Sequence, residues 1–473
     1  MTSPKKVCIK TYGCQMQVYD SDRMLSLLKP FGYTQTEDPT EANLIILNTC
    51  NIREKAEQKI FSELGRIREY KKAQEAQGQE YLIAVGGCVA QAQGDEIVRQ
   101  APYVSVVFGP QNYHRLPEYL TKVRRESSWR SPEGVAAIQN GSPHRCAPRD
   151  DVPVRKHHVD VEFPVESKFD YIPAVSETKA SAFLTIQEGC NKFCHFCVVP
   201  YTRGAEYSRP VKAIIEEAKH LVGLGAKEIT LLGQNVSDYH GDDEKGNPAS
   251  LAVLLETVAK ELPELKRLRY TTSHPRDITD HLIECHGSLP QLMPYLHLPV
   301  QTGSDKMLKA MNRKHTIDLY YGLMEKFRKA RPDIMVSSDF IVGYPGETQE
   351  DHKQTLQLVQ DCIDVGYSFN YSVRPGTPAS VLDQVPEDVK TPRLYELQDL
   401  LRMKQLLAHQ KQVGLVNEVL VEKKGKEPGQ LIGKNPHLQS VYFDGDESLI
   451  GEIVPVKILA AYQNSLHGEL IEA

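Results

Sequence analysis

Short apolar runs alternate with stretches of helical period along most of the chain. In the first 125 residues, 7–10, 44–47, 81–85 and 104–108 read as buried strands, and 52–70 carries Ile60, Phe61, Leu64 and Ile67 on one helical face. Strands that alternate with helices imply a parallel sheet covered on both sides. The same texture returns after residue 176, with strand candidates at 182–186, 228–232, 267–271, 294–298, 334–338 and 367–371 and helical segments such as 212–224 and 318–331. Six such units suit an open, partial barrel better than a closed one of eight. From about 411 the pattern changes to short strands (416–422, 430–433, 438–443, 450–458 and a final run) broken by Gly, Pro, Asn and Asp, which predicts a small all-β barrel. The stretch 126–175 is polar, carries six prolines and has no sustained period, so it reads as an irregular connection. The expected class is therefore α/β, with an open parallel-sheet domain at 5–125, a linker at 126–175, a partial (β/α)6 barrel at 176–408 and an all-β barrel at 411–473.

At 473 residues the chain exceeds what one core organises, and 40% hydrophobic with 25% charged residues is ordinary for a globular protein. No apolar run approaches the roughly 20 residues that span a bilayer, and the N-terminus lacks a signal-peptide core, so a cytoplasmic protein without membrane contact is expected. The formal charge of −6 does not announce a nucleic-acid partner. Residues 411–473 hold six Lys and no Arg against nine Asp plus Glu, so the small barrel's charge does not predict RNA binding either.

The cysteines change the picture. Ten of them in a reducing compartment are better read as metal ligands or reactive thiols than as disulfides. Cys190, Cys194 and Cys197 form a CxxxCxxC run directly after a predicted strand. Three thiolates can hold three irons of a four-iron cluster and leave the fourth open to a small molecule. A structural zinc site would need a fourth ligand, and no second CxxC or HxxxH follows; His195 lies awkwardly inside the loop. Cys14, Cys50 and Cys88 form a second set, each just after one of the first three predicted strands, with Gly13, Gly86 and Gly87 beside them. In a parallel sheet such positions converge on one edge, which favours a shared ligand over three small core residues. Cys8, Cys285 and Cys362 read as core. Cys146, near His144, His157 and His158, lies in the irregular connection.

The CxxxCxxC loop with Phe196 before its last cysteine resembles the radical S-adenosylmethionine superfamily, and two three-cysteine sets on separate domains resemble its methylthiotransferases. The segments 12–16, 48–57, 199–204, 232–236, 297–301, 338–343 and 374–378 match motifs of that family, and residues near 464–469 resemble a TRAM domain, a small RNA-binding barrel. The run from Asn48 to Glu54 points to the MiaB branch. Gln17, Thr302 and His467 depart from the usual Asn, Ser and Arg.

The resemblance implies two 4Fe–4S clusters, on Cys14/Cys50/Cys88 and Cys190/Cys194/Cys197, with S-adenosylmethionine on the open iron of the latter. It implies tRNA methylthiolation at carbon 2 of isopentenyladenosine next to the anticodon, started by a 5′-deoxyadenosyl radical and using sulfur carried on the other cluster. Such chemistry requires the two clusters to share a cavity. No side chain is expected to act as a conventional nucleophile. Gln234 and Asn235 either receive the amino group of S-adenosylmethionine or only form a loop turn; Gly343 and Glu347 either border its adenine or belong to the turn at Tyr344-Pro345-Gly346. Arg203 either binds the RNA backbone or another anion, or pairs with a carboxylate such as Glu206. Implied partners are tRNA bearing isopentenyladenosine and a small electron donor such as flavodoxin or ferredoxin, with the chain a monomer. Threonylcarbamoyl-adenosine in tRNA or a ribosomal-protein aspartate are alternative substrates, and a zinc-stabilised RNA-binding module is the alternative without catalysis.

Overall fold

The computed structural model describes residues 5–50, 54–128 and 157–471. Two compact units are present, Met1–Ser176 with Tyr201–Gly204, and Glu177–Pro200 with Ala205–Ala473. Among the described residues no helix is long and apolar enough to cross a membrane.

In the first unit, β1 (Lys5–Thr11), β2 (Tyr33–Gln35), β3 (Leu44–Thr49), β4 (Leu82–Gly87), β5 (Val106–Phe108) and β6 (His158–Asp160) form a parallel sheet in the order β2-β1-β3-β4-β5-β6. β3 and β4 are buried along their whole length, as central strands covered on both faces must be. Ile45, Leu47, Ile83 and Val85 pack on one face with Ile60, Leu64 and Ile67 of α2 (Glu54–Ala76). Leu44, Ile46 and Ala84 turn to the other, against Met24 and Leu28 of α1 (Gln15–Leu28) and against Leu116, Tyr119 and Leu120 of the helix Leu116–Ser128.

Two three-residue strands, β2 and β6, escape the sequence pattern. β6 corrects the expectation of an irregular connection, because residues from 157 onward complete the first sheet. Asp160 accepts hydrogen bonds from the Tyr119 hydroxyl (2.5 Å) and Arg115 (2.9 Å). Further on, Lys168 is 1% exposed, with its ammonium on the Pro110 carbonyl (3.1 Å), beside Asp20 (3.4 Å) and over the Tyr113 ring. Cys146 and His144 lie outside the described residues; His158 packs on the Tyr119 ring.

The second unit holds two parallel three-stranded sheets. β7 (Ser181–Thr185), β10 (Glu228–Leu232) and β11 (Arg267–Thr271) run in the order β11-β10-β7, and β12 (Tyr295–His297), β13 (Met335–Val342) and β14 (Val365–Asn370) follow in sequence order. A parallel bridge, Leu268 to Leu292, joins them, and the six strands make the expected open barrel. Between β7 and β10, β8 (Gln187–Glu188) and β9 (Tyr207–Ser208) form a short antiparallel pair. At the C-terminus β15 (Val416–Lys424), β16 (Gln430–Lys434), β17 (Ser440–Asp444), β18 (Ile453–Ala461) and β19 (Leu466–Leu470) close a barrel in the order β15-β16-β17-β19-β18 around Val419, Val441, Phe443 and Val456.

Two buried arginines dock this barrel on the larger one. Arg267 donates to the carbonyls of Lys434 (2.9 Å) and Glu418 (2.6 Å), and Arg269 to that of Pro436 (2.8 Å) and to the Glu228 carboxylate (2.9 Å). All three charged side chains are under 5% exposed. Arg269→Ala breaks the shorter of Glu228's two arginine pairings, leaving Arg267 at 3.8 Å, and is expected to cost about 3–5 kcal/mol in denaturant or thermal unfolding. A second expectation concerns Gly87, which has φ +95°, where an added Cβ would collide with the Thr49 carbonyl. Gly87→Ala should cost at least about 1–3 kcal/mol by the same measurement, whereas Gly78→Ala, with open space around it at φ +73°, should lack the collision component.

Candidate metal centres

The register of the first sheet brings its three cysteines together. Thr11 pairs with Asn48, and Asn48 with Gly86, so β1, β3 and β4 end level and the residues after them share one edge. Cys14 caps α1, Cys50 follows β3, and Cys88 opens the helix Cys88–Gln93. Gln17, 1% exposed, links two of them: its amide oxygen accepts from the backbone N–H of Cys14 (3.1 Å) and its Sγ (2.9 Å), and its nitrogen lies 3.7 Å from Cys88 Sγ. Asn48 fixes that helix turn by donating to the Gln17 carbonyl (2.8 Å) and Ser21 Oγ (3.0 Å). A hydrogen bond from Cys50 brings the Cys14 thiol down to about 6 against the opposing effect of burial, and the charge of Arg203 helps. Such a thiol is a ready metal ligand at neutral pH.

The second triplet sits in the loop after β8. Cys194 is buried, Cys190 and Cys197 partly so. Burial pushes Cys190 up to about 11 and Cys197 up to about 12, and the neighbouring Cys194 sulfur raises both further. Cys190 and Cys197 therefore resist ionising, and a bound polycation is what would relieve them. The loop is held from several sides. Gly189 N–H donates to Gln234 Oε1 (2.6 Å), and Lys192 pairs with Asp238 and Asp277, both at 2.8 Å. His195, the potential fourth zinc ligand, hydrogen-bonds through Nδ1 to the Ala310 carbonyl (2.9 Å) and through its N–H to that of Met311 (3.0 Å).

Among the described residues, the group of three ligand atoms lying within 4.8 Å of one another is Glu256, His281 and Cys285, where a His281–Glu256 hydrogen bond of 3.0 Å over a core cysteine accounts for the proximity.

The remaining expected site residues all have partners within the protein. Asn235 is 2% exposed, with its amide nitrogen on Asp277 (2.8 Å) and its oxygen accepting from Ser237 (2.9 Å), so its side chain is committed to the framework. Glu347 accepts from Gly343 N–H (2.8 Å) and Arg393 (2.9 Å), and the Lys390 stem fills the space over Gly343. Gln234 supports the loop before Cys190. Arg203 is 2% exposed and takes the carboxylate-pairing alternative, with Asp20 (2.9 Å) as its partner in place of Glu206. Sequence reasoning missed Gln17's sulfur contacts, Lys192 with its two aspartates, and Arg313, whose Nη1 lies 3.7 Å from Cys194 Sγ. A polar residue three positions after Cys14 was a signal for the first; the other contacts join segments far apart in sequence.

Comparison with known proteins divides the chain as the structure does. Residues 6–109 match the uncharacterised protein family UPF0004, 184–359 the radical SAM superfamily and 410–471 the TRAM domain. Among solved structures, a radical S-adenosylmethionine methyltransferase, TsrM, from Kitasatospora setae with cobalamin and a 4Fe–4S cluster bound superposes with TM-score 0.55 at 13% identity, over 90% of this chain and 80% of that one. The cobalamin-dependent S-adenosylmethionine radical enzyme OxsB gives 0.52 at 11% identity, over 85% and 56%. These likenesses concern the fold. The tRNA-2-methylthio-N(6)-dimethylallyladenosine synthase of Agrobacterium fabrum is 52% identical over 99% of this chain and 98% of its own length. The chain belongs to that synthase family, and is a radical S-adenosylmethionine enzyme whose cofactors are 4Fe–4S clusters and S-adenosylmethionine.

Proposed function

We propose that this chain methylthiolates carbon 2 of N6-isopentenyladenosine next to the anticodon of tRNA, with one 4Fe–4S cluster on Cys190, Cys194 and Cys197 and a second on Cys14, Cys50 and Cys88. The observation that carries the reading is the presence of two separate, largely buried triplets of cysteine, one in each unit, in a chain 52% identical to a synthase named for that product. Three sulfurs per site leave one iron of each cluster open. When bound, the clusters and S-adenosylmethionine supply the radical, the sulfur and the methyl group.

The chain's own residues place and shield these groups. Lys192, clamped by Asp238 and Asp277, and Gln234, on the Gly189 N–H, fix the loop that carries Cys190. Gln17 and Asn48 hold the backbone around Cys14 and Cys50. Gln234 remains our assignment on the S-adenosylmethionine side of that loop. The C-terminal barrel, fixed to its neighbour by Arg267 and Arg269, is the tRNA-binding element. A small one-electron donor such as flavodoxin or ferredoxin completes the system, and the chain works as a cytoplasmic monomer.

Nucleoside mass spectrometry of tRNA from cells lacking the chain should find isopentenyladenosine persisting without its methylthio group, restored by the wild-type gene and not by Cys194→Ala. Unchanged methylthiolation in the deletion strain would refute the assignment. Reconstituted wild-type protein should bind roughly eight irons, four per cluster. Replacing Cys14, Cys50 and Cys88 by Ala should halve that content and abolish methylthiolation while S-adenosylmethionine cleavage survives; replacing Cys190, Cys194 and Cys197 should halve the iron and abolish both.

A further inference from the structure

Arg313 stands outside the chemistry described so far. It follows the helix Asp305–Ala310 and is 6% exposed. Nη1 donates toward Cys194 Sγ at 3.7 Å, Nη2 donates to the Pro299 carbonyl, and Nε is buried without a partner. No carboxylate pairs with it among the described residues. Several other buried guanidinium groups are matched: Arg203 with Asp20, Arg209 with Glu217, Arg269 with Glu228, Arg393 with Glu347. A buried cation without an anion is costly, so its retention calls for a negative group that binds there.

The backbone around it points the same way. Asn312 and Lys314, on either side, both adopt positive φ (59° and 54°), a conformation that L residues avoid and that persists where the surroundings impose it. The turn is tied to the cysteine loop by Asn312 Nδ2 on the Phe193 carbonyl (3.0 Å) and by His195 on Ala310 and Met311. His274 and His315, stacked edge to face beside it, are driven down to about 2 and about 4 by burial and by Arg313's own charge, so they add no competing cation at neutral pH.

We propose that Arg313 is a positioning residue that acts as the fixed countercharge of the cluster on Cys190, Cys194 and Cys197, raising its reduction potential so that the one-electron donor can reduce it. The proposal rests on the reading that these cysteines hold a cluster. Reduction adds one electron and one negative charge to the cluster, with no bond made or broken, and a permanent cation against a ligand sulfur favours the reduced state over the oxidised one. Net charge and hydrogen bonds to sulfur are established determinants of such potentials, and a guanidinium does not lose its proton.

The test uses the full chain with Cys14, Cys50 and Cys88 replaced by Ala, so that one cluster remains, and a redox titration followed by electron paramagnetic resonance. Arg313→Gln should keep about four irons and shift the reduction equilibrium about tenfold toward the oxidised form, which is 59 mV for one electron. Arg313→Lys, which keeps the charge, should recover most of that shift. An unchanged potential in Arg313→Gln, or equal shifts in both variants, would overturn the proposal. If Arg313→Gln fails to take up iron, a Lys variant that binds iron at the parent potential supports it; loss of iron in both, with unaltered thermal unfolding, makes Arg313 a scaffold residue and overturns it. A parent without iron would instead overturn the assignment of Cys190, Cys194 and Cys197 themselves.

Discussion

Parallel pairing is the constraint on which the rest depends. When β1, β3 and β4 run side by side in one direction, the chain must leave each at the same edge, and Cys14, Cys50 and Cys88 meet there though 74 residues separate the first from the last. Antiparallel pairing would send alternate cysteines to opposite edges. The register supplies the second half: a slip of one residue would turn Ile45 and Leu47 into the other helical layer and carry Cys50 out of line. The two apolar layers that sandwich β3 therefore hold the three cysteines in place as much as the hydrogen bonds around them do.

Charge is arranged around these sites in two ways. In the first unit Arg203 and Lys168 share the carboxylate of Asp20, a buried group with compensation built in, so the positive field reaching Cys14 comes from a pair already satisfied. In the second unit Lys192 is gripped by two carboxylates, while Arg313 beside Cys194 has none among the described residues. The difference is chemical. Charges that only shape a loop can be neutralised locally, whereas a group that must act on a bound anionic cluster cannot first be neutralised by a carboxylate.

Much of the fold was legible because short strand-like segments recur between stretches of helical period: 228–232 and 267–271 coincide with β10 and β11, and the C-terminal runs with the closed barrel. β2 and β6 were not, because a three-residue edge strand such as His158–Asp160 is set by its neighbour and by tertiary anchors like Asp160 with Tyr119 and Arg115, none of which leaves a local period. The cysteine triplets stood out from position alone, and the parallel register does bring the first three to one sheet edge. For Asn235, Glu347 and Arg203 the sequence left a ligand contact and a structural role side by side for one common reason. A polar residue in a loop looks available in sequence, and only its partner, Asp277, Arg393 or Asp20, reveals that it is occupied.

Arg267 and Arg269 extend the same lesson to the C-terminal barrel. They lie on one strand, two residues apart, and so face the same side of β11. Both are buried, and their donors end on backbone carbonyls of the small barrel and on Glu228. Carbonyl recognition depends on strand position rather than side-chain identity, so the dock tolerates change across the small barrel's surface while keeping its orientation. An acidic residue of the small barrel adds to the dock, since Glu452 pairs with Lys227 of the larger one. The attachment therefore combines two buried arginines on backbone carbonyls with further contacts around them, such as His437 Nε2 on the Asp333 carbonyl (2.9 Å) and Gln463 on the Arg402 carbonyl (2.9 Å).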